Sequence, residues 1–191
     1  MPQPDHVMAF PTPAEAELED DLKAYYQKCR DKLGLVPNVL QAYAYKPRKL
    51  RNFIAFYNEL MLGESGLSKL EREMIAVVVS SVNRCYYCLV AHGQAVRKLS
   101  GDPELGEMLV MNYRVARLSP RHRAMLDFAA KLSEAPYRIE EADREALRAA
   151  GFADADIFDI ADVAAFFNMS NRMASGIDMM PNRDYHKMDR E

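Results

Sequence analysis

From about residue 13 to residue 175 the apolar side chains recur at intervals of three and four, with no sustained strand-like alternation anywhere. A chain of that pattern folds as packed helices, so the expected fold class is all-α. Nine helices are predicted, at about 13–33, 38–45, 47–62, 68–82, 85–99, 103–113, 119–134, 140–150 and 154–175, with ends good to ~2–4 residues. Local punctuation agrees with the breaks. Gly34 and the run Val36, Pro37, Asn38 end the first helix, Gly63 to Gly66 separates the third from the fourth, and Pro136 follows the seventh. Ser68 with Glu71 three residues on is a capping box, which opens the fourth helix firmly.

With 191 residues, 49% of them hydrophobic, the chain has enough apolar side chain for one domain with a proper core, expected over 1–191. A net charge of −3 with both signs interspersed excludes the basic footprint of a nucleic-acid binder. The start, MPQPDHVMAFP, has no basic region followed by an apolar stretch, and no window reaches the length of a bilayer span, so a soluble cytoplasmic protein without a membrane partner is expected. The polar tail from Pro181 to Glu191 is expected to be mobile, with no role evident for Tyr185 or His186.

A faint internal echo places Leu67, Ser68, Arg72, Met74 and Ile75 over Leu118, Ser119, Arg123, Met125 and Leu126. It divides the chain into a first unit at about 34–100 and a second at about 118–176, either as related units packed together or as two amphipathic helices that converged on one pattern. The aromatic and methionine stripes at Phe53 to Met61 and Phe166 to Met180 read as core or subunit contacts rather than as a cofactor pocket.

Chemistry concentrates in RCYYCLVAHG, Arg84 to Gly93. On a helix, Cys85, Cys88 and His92 stand three, four and seven positions apart and share one face. Cys29 is the third cysteine and reads as a buried structural thiol. An odd count in a chain of this size is no disulfide framework, whereas a close CxxC in a reducing compartment indicates redox or metal chemistry. Cys85, Cys88 and His92 would be three ligands of a zinc site, but no fourth close ligand and no loop-rich knuckle accompanies them. Redox chemistry is therefore preferred, and no metal or cofactor is expected.

Thiol redox chemistry needs a thiolate. Asn83 marks a break, which puts Cys85 near a helix N-terminus and its positive dipole end, while His92 lies one turn beyond Cys88; the dipole favours Cys85 and the histidine favours Cys88. A carboxylate that orients the histidine strengthens it as a base. If the fourth and fifth helices fold back around Asn83, Glu73 and His92 both lie about 14–15 Å from the turn, level with one another. Glu71 and Glu59 are rivals, but the capping box occupies Glu71. The mechanism expected has Cys88 attack a hydroperoxide to form a sulfenic acid, Cys85 condense with it to a disulfide, and a dithiol reductant restore the pair.

The run LSKLEREMIAVVVSSVNRCYYCLVAHG, Leu67 to Gly93, resembles the AhpD-like alkylhydroperoxidases of the carboxymuconolactone decarboxylase superfamily. Their signature is a glutamate twelve residues before a CxxC and a histidine four after it, and Glu73, Cys85, Cys88 and His92 match it. GLVPNVL at Gly34 to Leu40, LSPRHRAMLDFAAKL at Leu118 to Leu132 and MMPNRDYHKM at Met179 to Met188 look like an uncharacterised peroxidase-related branch. The resemblance implies an all-helical fold, homo-oligomers (trimers or hexamers), no prosthetic group, peroxidase activity through the second cysteine, and a proton relay from Glu73 through His92. One position departs: the family's better-known members carry a histidine directly before the second cysteine, where this chain has Tyr87. Two rival functions remain, a lyase acting on a lactone, which does not need the CxxC pair, and a non-enzymatic redox-sensing oligomer. Arg114, Asn168, Asn171 and Arg172 stand between two roles, lining an entrance or making a subunit contact.

Overall fold

The computed structural model describes residue 1 and residues 3–190. Among them the helices are α1 (Asp20–Leu33), α2 (Asn38–Tyr43), α3 (Pro47–Leu62), α4 (Lys69–Val82), α5 (Tyr86–Ser100), α6 (Pro103–Asn112), α7 (Pro120–Glu134), α8 (Glu141–Ala149) and α9 (Asp154–Gly176), with short 3-10 turns between some of them and no strand. The first helix begins later than its apolar period suggests. A 3-10 turn at Glu15–Glu17 and extended backbone at Leu18 and Glu19 bend the chain before α1, which lets Leu18 and Leu22 both enter the core.

α4 is the central element. Every side chain from Met74 to Val79 has 0% exposure, which suits a helix that is apolar all round. Three successive valines are modest helix formers; burial against α5, α6, α7 and α9 decides their conformation. The main core gathers around this helix, with Val96, Leu109, Met125, Leu126, Leu147, Ile160, Val163 and Phe167 among its best-buried members. An aromatic cluster extends it toward α2 and α3, where Tyr43 stacks on Phe53 at 4.4 Å and Phe56 meets Phe166 edge-on at 5.1 Å. Cys29 is buried in this core, and burial pushes its thiol up.

The segments that echo one another in sequence also do the same structural work. Ser68 and Ser119 each cap a helix by accepting from the backbone N–H three residues on, Glu71 at 3.1 Å and His122 at 3.1 Å. Arg72 then donates to the carbonyls of Leu60 and Gly63 at the end of α3, at 3.0 and 3.1 Å. Arg123 donates to those of Tyr113, Arg114 and Ala116 after α6, at 3.3, 3.2 and 2.9 Å. Each arginine thus satisfies carbonyls that a helix end or a turn leaves open, and α4 packs directly on α7.

Glu71 joins the two helices. Its carboxylate accepts from the Ser68 backbone N–H at 2.8 Å and from Arg121 Nε at 3.0 Å, while the Arg121 guanidinium lies over the Phe152 ring at 3.6 Å. Burial raises the Glu71 pKa, but the Ser68 N–H and the Arg121 guanidinium outweigh it and hold the carboxyl below its ordinary value of 4.5. A carboxyl depressed in the folded state contributes stability above its unfolded pKa and loses it as pH falls through the folded value. Glu71→Gln is therefore expected to cost about 1–3 kcal/mol at neutral pH and to flatten the fall of Tm below about pH 4.5, measured by thermal unfolding across pH 3–7.

The tail is docked. Asn182 accepts from the Asn38 backbone N–H at 2.8 Å and donates to Val36 O at 2.9 Å, and Tyr185 is buried. Arg97, itself buried, donates to Tyr185 O at 2.9 Å and to Met188 O at 3.0 Å. These bonds run through the tail's backbone and polar side chains, which an apolar period does not report. Residues 2 and 191 lie outside the described residues.

Candidate active site

The reversal between α4 and α5 takes three residues, and one of them serves both helices. Cys85 N–H donates to Ser80 O at 3.0 Å and Arg84 N–H to Ser81 O at 3.1 Å, the bond pair of a Schellman motif. Arg84 takes the left-handed position, φ 53°, usually filled by glycine; that conformation costs a non-glycine residue roughly 1–2 kcal/mol. Cys85 is at once the residue that closes α4 and the N-cap of α5. The tight turn forces the helices antiparallel in the register the sequence predicts, and His92 Nδ1 meets Glu73 Oε2 at 2.7 Å. Both side chains are 12% exposed. The His92 ring is held edge-on against Phe167 at 4.6 Å, which orients the pair from the other side. Neither rival carboxylate competes: Glu71 is committed to Ser68 and Arg121, and Glu59 is exposed.

Cys85 and Cys88 come within 3.2 Å of each other, and both thiols are free. That is about 1 Å beyond a disulfide bond length. The hydrogen bond from the Cys88 thiol lowers the Cys85 pKa most; burial opposes it, and the Cys88 backbone N–H, the charge of His92 and the Ser175 hydroxyl add to it, bringing Cys85 down to about 7. Cys88 moves the other way. It gives its proton to the bond with Cys85, is buried, and feels the Cys85 charge, so it lies well above the ordinary value, although Asn171 and Ser80 pull it back. The two directions favour the thiolate on Cys85 and the proton on Cys88. Dipole and imidazole, set against each other in the sequence, here act together on Cys85.

The thiols sit outside the main core, in a smaller apolar cluster with Met8, Ala42, Tyr87, Ala174 and Met179. Cys85 and Cys88 are each 1% exposed. The cover is formed by two segments that cross: Ala9 N–H donates to Ile177 O at 2.9 Å and Met180 N–H to Val7 O at 3.0 Å. His6 Nε2 clips the crossing to Asp178 Oδ2 at 2.9 Å. Tyr87 is buried, and its hydroxyl accepts from the Val39 backbone N–H at 3.1 Å, tying the first turn of α2 to α5. Among the described residues, no three His, Cys, Asp or Glu side chains are grouped as a metal ion requires.

Of the residues whose role the sequence left open, Asn168 and Asn171 both accept from Asn83 Nδ2 at 3.0 Å and Arg172 donates to Asn168 Oδ1 at 3.0 Å, whereas Arg114 is exposed and pairs with Asp127 at 3.3 Å. Ser80, Ser175, Met8 and Met179 were not foreseen as neighbours of the thiols. One signal was available: Asn168, Asn171 and Ser175 lie three and four apart, on one face of α9.

The carboxymuconolactone decarboxylase family model matches residues 47–131. The chain is similar to the uncharacterized peroxidase-related protein from Silicibacter sp. TM1040, with 63% identity, a TM-score of 0.95 and 100% of both chains covered. It is also similar to the alkylhydroperoxidase AhpD core, an uncharacterized peroxidase-related protein from Ralstonia eutropha JMP134, at 44% identity and a TM-score of 0.95, covering 98% of this chain and 99% of that one. The debrominase Bmp8, 16% identical, has the same fold, with a TM-score of 0.78 over 92% of this chain and 93% of its own. No functionally curated protein matches.

Proposed function

Because the chain belongs to the AhpD-like group of the carboxymuconolactone decarboxylase superfamily, we propose that it is a thiol-dependent peroxidase that reduces organic hydroperoxides through a Cys85–Cys88 dithiol/disulfide cycle. The observation that carries this reading is the juxtaposition of two free thiols 3.2 Å apart with a histidine bonded to a carboxylate at 2.7 Å. A thiol that shares its proton with a neighbouring thiolate needs little rearrangement to exchange charge with it.

In the proposed cycle Cys88 passes its proton to Cys85 and attacks the distal peroxide oxygen. The O–O bond breaks, Cys88 becomes a sulfenic acid, and the alkoxide leaves as alcohol with a proton from His92, whose imidazolium Glu73 stabilises. Cys85 returns its proton to the now neutral His92 and attacks the Cys88 sulfur, and the displaced hydroxide takes that proton from His92 and leaves as water. Dithiol and hydroperoxide thus give disulfide, alcohol and water. An external dithiol of unidentified kind then reduces the disulfide by thiol exchange. The apolar shell of Met8, Ala42, Ala174 and Met179 suits a hydroperoxide with an organic group. A homo-oligomer is part of the same proposal: Met111, Phe158 and Met169 are 82%, 71% and 46% exposed, which suits a partner subunit. Among the described residues no helix is long and apolar enough to cross a membrane.

Steady-state assay with cumene hydroperoxide and excess dihydrolipoamide tests the enzyme reading against its non-catalytic rival. Many turnovers per thiol pair are expected. A single oxidation that the reductant never recycles would instead make the disulfide a sensing device.

A further inference from the structure

Cys85 and Cys88 are each only 1% exposed, so any molecule that reacts with their sulfurs must first displace a neighbour. Their apolar cluster is walled by α2, α5 and α9 and by two stretches that belong to no helix, one carrying Val7 and Met8, the other Ile177 and Met179. Displacing a helix would break packing, since α5 and α9 lie on α4 and α2 lies on α3. A non-helical stretch is the cheaper part to move.

The two stretches are fastened unequally. Residues 177–182 are tied to the helices: Met179 N–H donates to Ala174 O at 2.9 Å, Asn38 Nδ2 donates to Met180 O at 2.8 Å, and Asn182 bonds to Asn38 and Val36. Residues 3–9 have no such tie. Among the described residues, every hydrogen bond and ion pair they make goes to residues 177–183: the two backbone bonds at the crossing, the His6–Asp178 clip, Asp5 to Arg183 Nε at 3.2 Å, and Gln3 O from Arg183 Nη2 at 3.5 Å. Beyond the crossing the stretches part around a cleft of about 330 Å³, between residues 4–7 and residues 180–184. Met8 is the one buried side chain of residues 3–9, at 5% exposure.

We propose that residues 3–9 form a lid on the thiol site, with Met8 as its plug: lifted off residues 177–183, this strap uncovers Cys85 and Cys88 without disturbing a helix. That the lid opens for a hydroperoxide, and then for a dithiol reductant, rests on the thiol-peroxidase reading. The opening is local. It exposes one methionine and releases bonds that lie mostly at the surface, a far smaller change than global unfolding. A reductant that attacks a disulfide sulfur directly meets the same cover, so one movement serves both halves of the cycle.

The test reads access to the thiols. Fully reduced protein is mixed with dithiobis-nitrobenzoate, a bulky aromatic disulfide that thiols attack, and the loss of each free thiol is followed by peptide mass spectrometry. Cys29, buried in the main core, is the internal control. Met8→Ala removes most of the plug and is expected to speed reaction at Cys85 and Cys88 on the order of tenfold, with Cys29 unchanged. His6→Ala removes only the exposed clip and should speed it about two- to threefold. His6 lies outside the cluster, so its effect comes through opening and not through a hole left over the sulfurs. Wild-type rates at Cys85 and Cys88 in both variants, or in His6→Ala alone if Met8→Ala does not fold, overturn the lid. An equal acceleration at Cys29 overturns it too, since that marks general loosening. The reagent is not a peroxide, so acceleration at Cys85 and Cys88 in a protein that consumes no hydroperoxide would defeat the peroxidase reading and leave the lid standing, whereas turnover with unmoved rates would defeat the lid alone.

Discussion

Cys88→Ser is expected to consume no cumene hydroperoxide above the uncatalysed background. A hydroxyl replaces the sulfur that attacks, and at neutral pH a serine without its own general base is a feeble nucleophile. The loss should be complete because Cys85 cannot take over efficiently. Its sulfur is still engaged by the backbone N–H of residue 88 and by the Ser175 hydroxyl, which the substitution leaves in place. Cys85→Ser should behave differently. Cys88 then still makes one attack per chain, but no neighbour traps the sulfenic acid, and repeated exposure should drive it to sulfinic and sulfonic acids, visible as added oxygen mass. Equal consumption by Cys88→Ser and wild type would mean that Cys85 makes the attack.

The second large effect is expected at the ion pair. His92→Ala removes the group that returns a proton to the leaving alkoxide, and general-acid contributions of this kind run to about 10²–10⁴-fold. Glu73→Gln keeps a hydrogen-bond acceptor beside Nδ1 but withdraws the charge that stabilises the imidazolium, so a loss on the order of 10²-fold is expected with His92 still in place. Single-turnover rates with cumene hydroperoxide check both. Because the Glu73–His92 pair is little exposed, at 12% for each side chain, circular dichroism and Tm should accompany the rates. A loss of activity with the fold intact assigns the effect to proton transfer.

The helices were legible because their information is local. Ser68 with Glu71, the Gly63 to Gly66 break and Pro136 each act within a few residues, and the structure uses Ser68, Gly63 and Pro136 at helix ends. The meeting of Glu73 with His92 was legible for a further reason: a tight reversal at Asn83 leaves two straight helices one register, so distance along the chain becomes distance in space. What encloses the thiols was not legible. Met8 and Met179 come from opposite ends of the chain, and they are joined over the site by backbone bonds between residues 7–9 and 177–180 that no periodicity encodes. The docked tail was missed for a similar reason, since buried Arg97 recognises carbonyls, which every residue possesses. The charge order within the thiol pair depends on which sulfur donates to which, a matter of side-chain orientation that spacing leaves open.

The central claim is that the two sulfurs form one redox unit, and one measurement addresses it directly. One equivalent of cumene hydroperoxide is added to the fully reduced wild-type protein, the peroxide remaining is measured, and the new bond is mapped by peptide mass spectrometry under non-reducing conditions. The account predicts stoichiometric loss of peroxide with a Cys85–Cys88 disulfide and Cys29 still a thiol. Undiminished peroxide, or peroxide lost while Cys85 and Cys88 both remain reduced, would contradict it.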